Sequence, residues 1–191
     1  MSVFKNLNTL PASSIRDIQR PASIKQLSLE SSAMEVFTDF SQQPPMMLEQ
    51  NTPIDDARAI MRSTHTKLFL VINAQESFRG VITLNDLVSE LVMKEMDRSR
   101  LSRNELTVEQ VMTPRSKLRA IEFADYQLAR IGDVLNRMEK YGEQHMIVVE
   151  TESASVRGIV SAHGIARRMH APVTISERAV SFSEIYSAIT G

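Results

Sequence analysis

Two stretches of the chain, Phe78-Arg79-Gly80-Val81-Ile82-Thr83 and Val156-Arg157-Gly158-Ile159-Val160-Ser161, share one pattern: apolar, Arg, Gly, apolar, apolar, small hydroxyl. Gly80 and Gly158 stand 78 residues apart. The apolar runs before them, Leu70-Val71-Ile72-Asn73 and Ile147-Val148-Val149-Glu150, correspond with an offset of 77, so the two hairpins differ by one residue. A period of this length, with elements in the same order, marks a duplicated supersecondary unit. Each unit is too small to bury both faces of its sheet, so the two are expected to pack sheet to sheet around a shared core. The fold class that follows is α+β: two pseudo-symmetric β-α-β-β-α units with helical N- and C-terminal arms.

Reading outward from these hairpins divides the chain. Residues 1–43 form an N-terminal arm, with short helices expected over Ser13–Arg20 and Ser32–Phe40. The first unit spans 44–94. In it Met46–Leu48 is a strand, and Thr52-Pro53-Ile54-Asp55-Asp56 opens a helix, with Thr as cap, Pro at the first helical position and two acids at the positive end. Ile54, Ala57, Ile60 and Met61 lie on one face of that helix. Leu68–Ile72 and Phe78–Thr83 are strands, and Leu84–Met93 is a helix with Leu84, Leu87, Val88, Leu91 and Val92 turned inward. Residues 95–107 are charged and polar and read as a solvated linker. The second unit, 108–170, repeats the order: Leu118–Phe123 strand, a helix marked by Leu128, Ile131, Val134, Leu135 and Met138, strands Met146–Val149 and Val156–Ser161, then a helix ended by Pro172. Residues 171–191 form a C-terminal amphipathic helix carrying Phe182, Ile185, Tyr186 and Ile189.

Composition removes several function classes. The 191 residues carry 22 Lys+Arg and 23 Asp+Glu, a formal net charge of -1. That balance supplies no general field for nucleic acid or an anionic membrane. There is no cysteine, which excludes disulfides and thiolate chemistry. The first thirty residues hold no apolar core of signal-peptide length, and no apolar run is long enough to span a bilayer, so a cytoplasmic location is expected. The sequence shows no P-loop, G-x-G-x-x-G, G-x-S-x-G or H-E-x-x-H pattern, and the four histidines lack the spacing of a helical zinc pair. A non-catalytic protein with no metal and no required cofactor is expected.

The order of elements, together with Gly-Val-Ile-Thr-Leu-Asn-Asp at 80–86 and Val-Met-Thr-Pro at 111–114, resembles a tandem pair of cystathionine-β-synthase-type (CBS) domains, the Bateman module. The resemblance covers residues 44–170. It implies pseudo-two-fold packing of the units, frequent dimerisation and, in many members, an adenosine ligand such as AMP, ADP or ATP. On that reading Asp86 would hold ribose and Thr83 phosphate. The strand backbone near Leu68 would read the adenine edge, Met47 would wall the base, and Thr52 would be a weaker contact. The physical basis is the strand-to-helix turn at Thr83-Leu84-Asn85-Asp86, where free N–H groups and the helix dipole favour an anion. The same four residues also read as a capping box with no ligand at all.

A secondary pocket would hold Ser161, His163 and Arg115. It is the poorer one, because Gly164 stands where the ribose acid belongs. His163 would face that pocket or simply begin a helix. Arg79 and Arg157 would flank the two pockets or line the solvent face. The function expected is a regulatory module that binds an adenine nucleotide between its units, forms an isologous homodimer through the helices over Ile54–Met61 and Leu128–Met138, and signals to a protein partner. The alternative is a ligand-free dimerisation or protein-interaction module.

Overall fold

A computed structural model describes residues 4–19, 26–170 and 182–190. The chain runs through β1 (Thr38–Asp39), β2 (Met47–Glu49), α1 (Ile54–Ser63), β3 (Leu68–Ile72), β4 (Phe78–Thr83), α2 (Leu84–Val88), α3 (Glu90–Ser99) and α4 (Val108–Val111). It continues through β5 (Thr113–Pro114), β6 (Ala120–Glu122), α5 (Phe123–Leu128), α6 (Ile131–Tyr141), β7 (His145–Glu150), β8 (Ser155–Ser161), α7 (Ala162–Arg168) and α8 (Phe182–Thr190). The strands form two sheets of four, ordered β2-β3-β4-β5 and β1-β8-β7-β6.

The duplication holds rung by rung. Leu68 pairs with Thr83 and Val71 with Gly80 in the first sheet. His145 pairs with Ser161 and Val148 with Gly158 in the second. Both hairpins carry a bulge at the same place, between Val71 and Ile72 and between Val148 and Val149. Arg79 and Arg157 are the extra residues of these bulges, a geometry that re-aims a side chain. The strand period then sorts the apolar residues into three layers. Phe69, Val71 and Ile82 pack with Ile54, Ala57 and Met61 under the helices of the first unit. Met146, Val148 and Val160 do the same with Ile131, Leu135 and Met138 in the second. Leu70, Val81 and Ile147, the alternate positions, form the contact between the sheets.

Each sheet is completed by a strand from the segment that opens the other unit. β5 pairs with β4, placing Pro114 opposite Gly80, and β1 pairs with β8, placing Asp39 opposite Gly158. The two glycines are required here. A Cβ on Gly80 would lie 2.2 Å from the Thr113 carbonyl oxygen, and one on Gly158 2.3 Å from that of Thr38. The exchange corrects the helix expected over Ser32–Phe40: only a 3-10 turn at Ala33–Val36 forms, and Thr38–Asp39 then extends into the sheet. Phe37 is buried, stacked 5.0 Å from the ring of Tyr126. The Tyr126 hydroxyl donates to the Ala33 carbonyl at 2.9 Å.

Other local expectations are corrected as well. Of the helix expected over Ser13–Arg20, residues 13–19 show only a 3-10 turn at Ala12–Ser14, Arg20 lies outside the described residues, and Phe4, Leu7 and Leu10 are exposed. The helix expected over Leu84–Met93 breaks at Ser89, which leaves the helical region and caps α3 by accepting from the Leu91 amide. The break turns Val88 and Leu91 outward, each about half exposed, while Leu87 and Val92 stay buried. The linker is not fully solvated. Leu106 is buried; its carbonyl accepts from the Ile54 amide at 3.1 Å and the Val108 amide donates to Thr52 at 2.9 Å. Leu106 thus takes the Ile54 amide at the start of α1, and Pro53 rather than Thr52 holds the cap position, with no side-chain cap. Leu128 lies outside the inward face of α6 and is exposed. In the tail, Ile185 is buried against the second core, with Tyr186 and Ile189 packed beside it. Pro172, Ile175 and the side chain of Phe182 lie outside the described residues.

Arg157 ties the second sheet to its borrowed strand. Its guanidinium donates to both carboxylate oxygens of Asp39 at 2.9 and 3.2 Å and to Glu150 at 3.2 Å, and lies 4.4 Å over the ring of Phe123. The arginine holds the Asp39 carboxyl well below its ordinary 3.8, at about 2. A depressed carboxyl stabilises the fold fully above its unfolded value and ceases to do so as pH falls through the folded one. The contribution of this pair is therefore complete above pH 4 and fades between about 4 and 2. Asp39→Asn is expected to reduce stability at neutral pH and to leave a shallower acid limb below pH 4, read by urea unfolding from pH 2 to 7. An unchanged acid limb would remove Asp39 as its source.

Candidate functional site

The final rungs of the two hairpins, Leu68–Thr83 and His145–Ser161, run directly into helices α2 and α7. The turns are built alike. The Leu84 amide donates to the Lys67 carbonyl and the Ala162 amide to the Gln144 carbonyl, both at 3.0 Å. Thr83 and Ser161 are the cap residues, accepting from the amides of Asp86 at 3.2 Å and Gly164 at 2.9 Å. They differ in the acid. Asp86 reaches back so that one carboxylate oxygen accepts from the Thr83 amide at 2.8 Å and its hydroxyl at 2.7 Å. This is a complete capping box, and burial holds the Asp86 carboxyl above its usual value against the lowering by both bonds. Gly164 leaves the second turn with the hydroxyl alone.

Beside these turns lies a cationic cluster shared by both units. Lys67, from the first unit, acts electrostatically on His145 and His163 of the second. Burial first, then the charge of Lys67 and the neighbouring His163, push His145 down to about 4. Burial, Lys67 and Arg167 also lower His163, whose Nδ1 is enclosed with no hydrogen-bond partner. Both rings are therefore neutral near pH 7, in a place whose fixed charge is positive. Lys67 was not among the predicted site residues, and His145 was expected only at a pocket rim. His145 stands opposite the capping Ser161, and Lys67 precedes Leu68, which stands opposite the capping Thr83; that placement is the signal that points to them.

The register shows which predicted residues meet. Leu68, Thr83 and Asp86 share one end of the first sheet, with Met47 half exposed on the neighbouring strand opposite Leu70. Thr52 is not with them. β2 and β3 are parallel and Gln50 already bonds to Ile72, so Thr52 lies beyond the far end of β3, roughly 13 Å of strand from Leu68. Ser161 and His163 share the second turn. Arg115 does not join them: it follows β5 on the edge of the first sheet, next to the bulge at Arg79. Arg157 is bound to Asp39 and Glu150 on the edge of the second sheet, apart from the Ser161 turn. A depression of about 290 Å³ beside β1, lined by Met34, Phe37, Asp39, Gln42, Gln43 and Arg168, holds none of these residues. Among the described residues no group of three or more His, Asp or Glu is placed to hold a metal ion, and no helix is long and apolar enough to cross a membrane.

The model of the CBS domain family matches residues 36–93. No curated protein matches the chain. Solved structures share its fold. An uncharacterized conserved protein from Pyrococcus horikoshii superposes with a TM-score of 0.56 at 16% identity, covering 78% of this chain and 100% of that one. CBSX2 from Arabidopsis thaliana, solved in complex with AMP, gives 0.54 at 18% identity over 72% of this chain and 94% of its own. The CBS domain pair of MJ0100, in complex with 5'-methylthioadenosine and S-adenosyl-L-methionine, gives 0.51 at 20% identity over 72% and 94%.

Proposed function

We propose that this chain, which folds as a tandem CBS module, is a non-catalytic cytoplasmic regulatory module that binds one adenosine nucleotide at the Thr83–Asp86 turn and passes the change to a protein partner. The observation that carries this reading is the convergence at one end of the two sheets of a half-buried carboxylate, Asp86, with the charges of Lys67 and Arg167 and the two neutral rings of His145 and His163. A nucleoside monophosphate has the matching polarity: neutral hydroxyls for the acid and an anionic phosphate for the cations. The likeness to CBS-pair structures holding AMP or S-adenosyl compounds supports the same class. A ligand spanning the two turns would favour the arrangement of the units it contacts best, and only that difference in affinity drives a change. Two copies would assemble through the first unit, where α1 to α3 expose Ile60, Val88, Leu91 and Met93; the equivalent helices of the second unit lie under α8.

The histidines supply the test. In the free protein His145 is neutral above about pH 4. A phosphate beside it raises its affinity for a proton, so binding near pH 6 draws a proton in, and AMP binds more tightly as pH falls from 7 toward 5. Titration calorimetry of AMP at pH 6 in two buffers of different ionisation enthalpy is expected to show proton uptake that His145→Gln reduces. GMP is expected to bind more weakly. No heat with AMP, or equal heats with AMP and GMP, would overturn the adenosine reading.

A further inference from the structure

We infer that the bulge of the first sheet is a carboxylate-binding site, centred on Arg79 and separate from the nucleotide turn. The second copy displays what the position takes. There Arg157, the bulge residue of β8, is neutralised by Asp39 on the borrowed strand and by Glu150, and stacks on Phe123. In the first copy the same arginine remains and every one of those partners is replaced. Pro114 stands at the position of Asp39, since it pairs with Gly80 as Asp39 pairs with Gly158. Asn73 replaces Glu150, and its side-chain oxygen is engaged by the amides of Gln75 and Ser77. Gln50 replaces Phe123, because β2 and β6 meet their neighbours in the same register.

The result is a half-buried guanidinium whose Nε is enclosed without an acceptor. The Oε1 of Gln50, at the position equivalent to the ring under Arg157, is enclosed without a donor. Arg115, exposed and next along the edge strand, adds a second positive charge. The enclosed guanidinium nitrogen is costly unless something supplies an acceptor, and the Gln50 amide can turn its NH2 toward the same incoming oxygen. A carboxylate meets a guanidinium bidentately, as Asp39 meets Arg157. That carboxylate belongs either to a small free acid or to an acidic side chain of a second copy.

The experiment uses the full chain and malonate, against sodium chloride at matched ionic strength, in wild type, Arg79→Gln, Pro114→Ala and Pro114→Asp. Pro114→Asp rebuilds the missing partner. It is expected to melt higher than Pro114→Ala and to lose any response to malonate. In wild type, malonate at tenfold excess over its dissociation constant is expected to raise Tm by about 3–5 °C, and in Arg79→Gln not at all. If the acid comes from a second copy, malonate instead has no effect beyond salt, and sedimentation shows weaker self-association in Arg79→Gln and Pro114→Asp than in wild type. Identical malonate response and identical mass in all four proteins would overturn the site. So would a Pro114→Asp protein no more stable than Pro114→Ala, because Arg79 would then not be poised as Arg157 is.

Discussion

Gly158→Ala is expected to lower the unfolding free energy by about 3 kcal/mol, the upper range for an added methyl in a packed interior. The added carbon would stand 2.3 Å from both the Thr38 carbonyl oxygen and the ring of Phe37. Neither neighbour can retreat. Phe37 is buried and stacked on Tyr126, and Thr38 is held by its pairing with Ile159. The strain is relieved only by lifting β1 from β8, which also parts Asp39 from Arg157 and uncovers Ala33 and Val36. Gly142→Ala is the control. Gly142 has a φ of +64° and open space around its Cβ position, so its replacement costs about 1 kcal/mol through backbone conformation alone. Urea unfolding of both variants measures the difference. Equal, small losses would mean that β1 is not seated on Gly158.

Asp86→Ala is expected to weaken AMP binding by more than tenfold, the loss on the order of 1.5–3 kcal/mol that accompanies removal of charge-assisted hydrogen bonds. It is also expected to reduce stability by about 1 kcal/mol, since the same carboxylate closes the capping box with Thr83. The two roles separate in Asp86→Asn. The amide oxygen can still accept from the Thr83 amide, so α2 keeps most of its cap, whereas the charge offered to the ribose hydroxyls is gone. Calorimetry with AMP and thermal unfolding, run on wild type and both variants, give independent readings. Unchanged affinity in Asp86→Ala with lower stability would make Asp86 a capping residue only. Two equivalent sites per chain would overturn the preference for the first turn, which rests on Gly164 standing where the second acid would be.

Much of the fold was legible in the chain itself. The paired Arg-Gly hairpins, their 78-residue spacing and the apolar runs before them determined two copies and the order of elements along each. Within each copy those signals are local: they depend on short apolar runs and on the turn residues between strands. The capping box at Thr83 and Asp86 was legible for the same reason, as a contact between residues three apart. What the sequence left open was set by partners distant along the chain. Thr38–Asp39 read as helix because Met34, Phe37 and Phe40 have helical spacing; it became strand because β8 offered an unpaired edge with a glycine where the strand crosses. Thr52 read as a cap, but the Leu106 carbonyl, more than fifty residues on, accepts from the Ile54 amide, and Pro53 holds the cap position. Arg79 and Arg157 are indistinguishable in their own hexapeptides. Only the exchange of edge strands, which brings Asp39 to one and Pro114 to the other, decides that one is neutralised and the other left with an open cation.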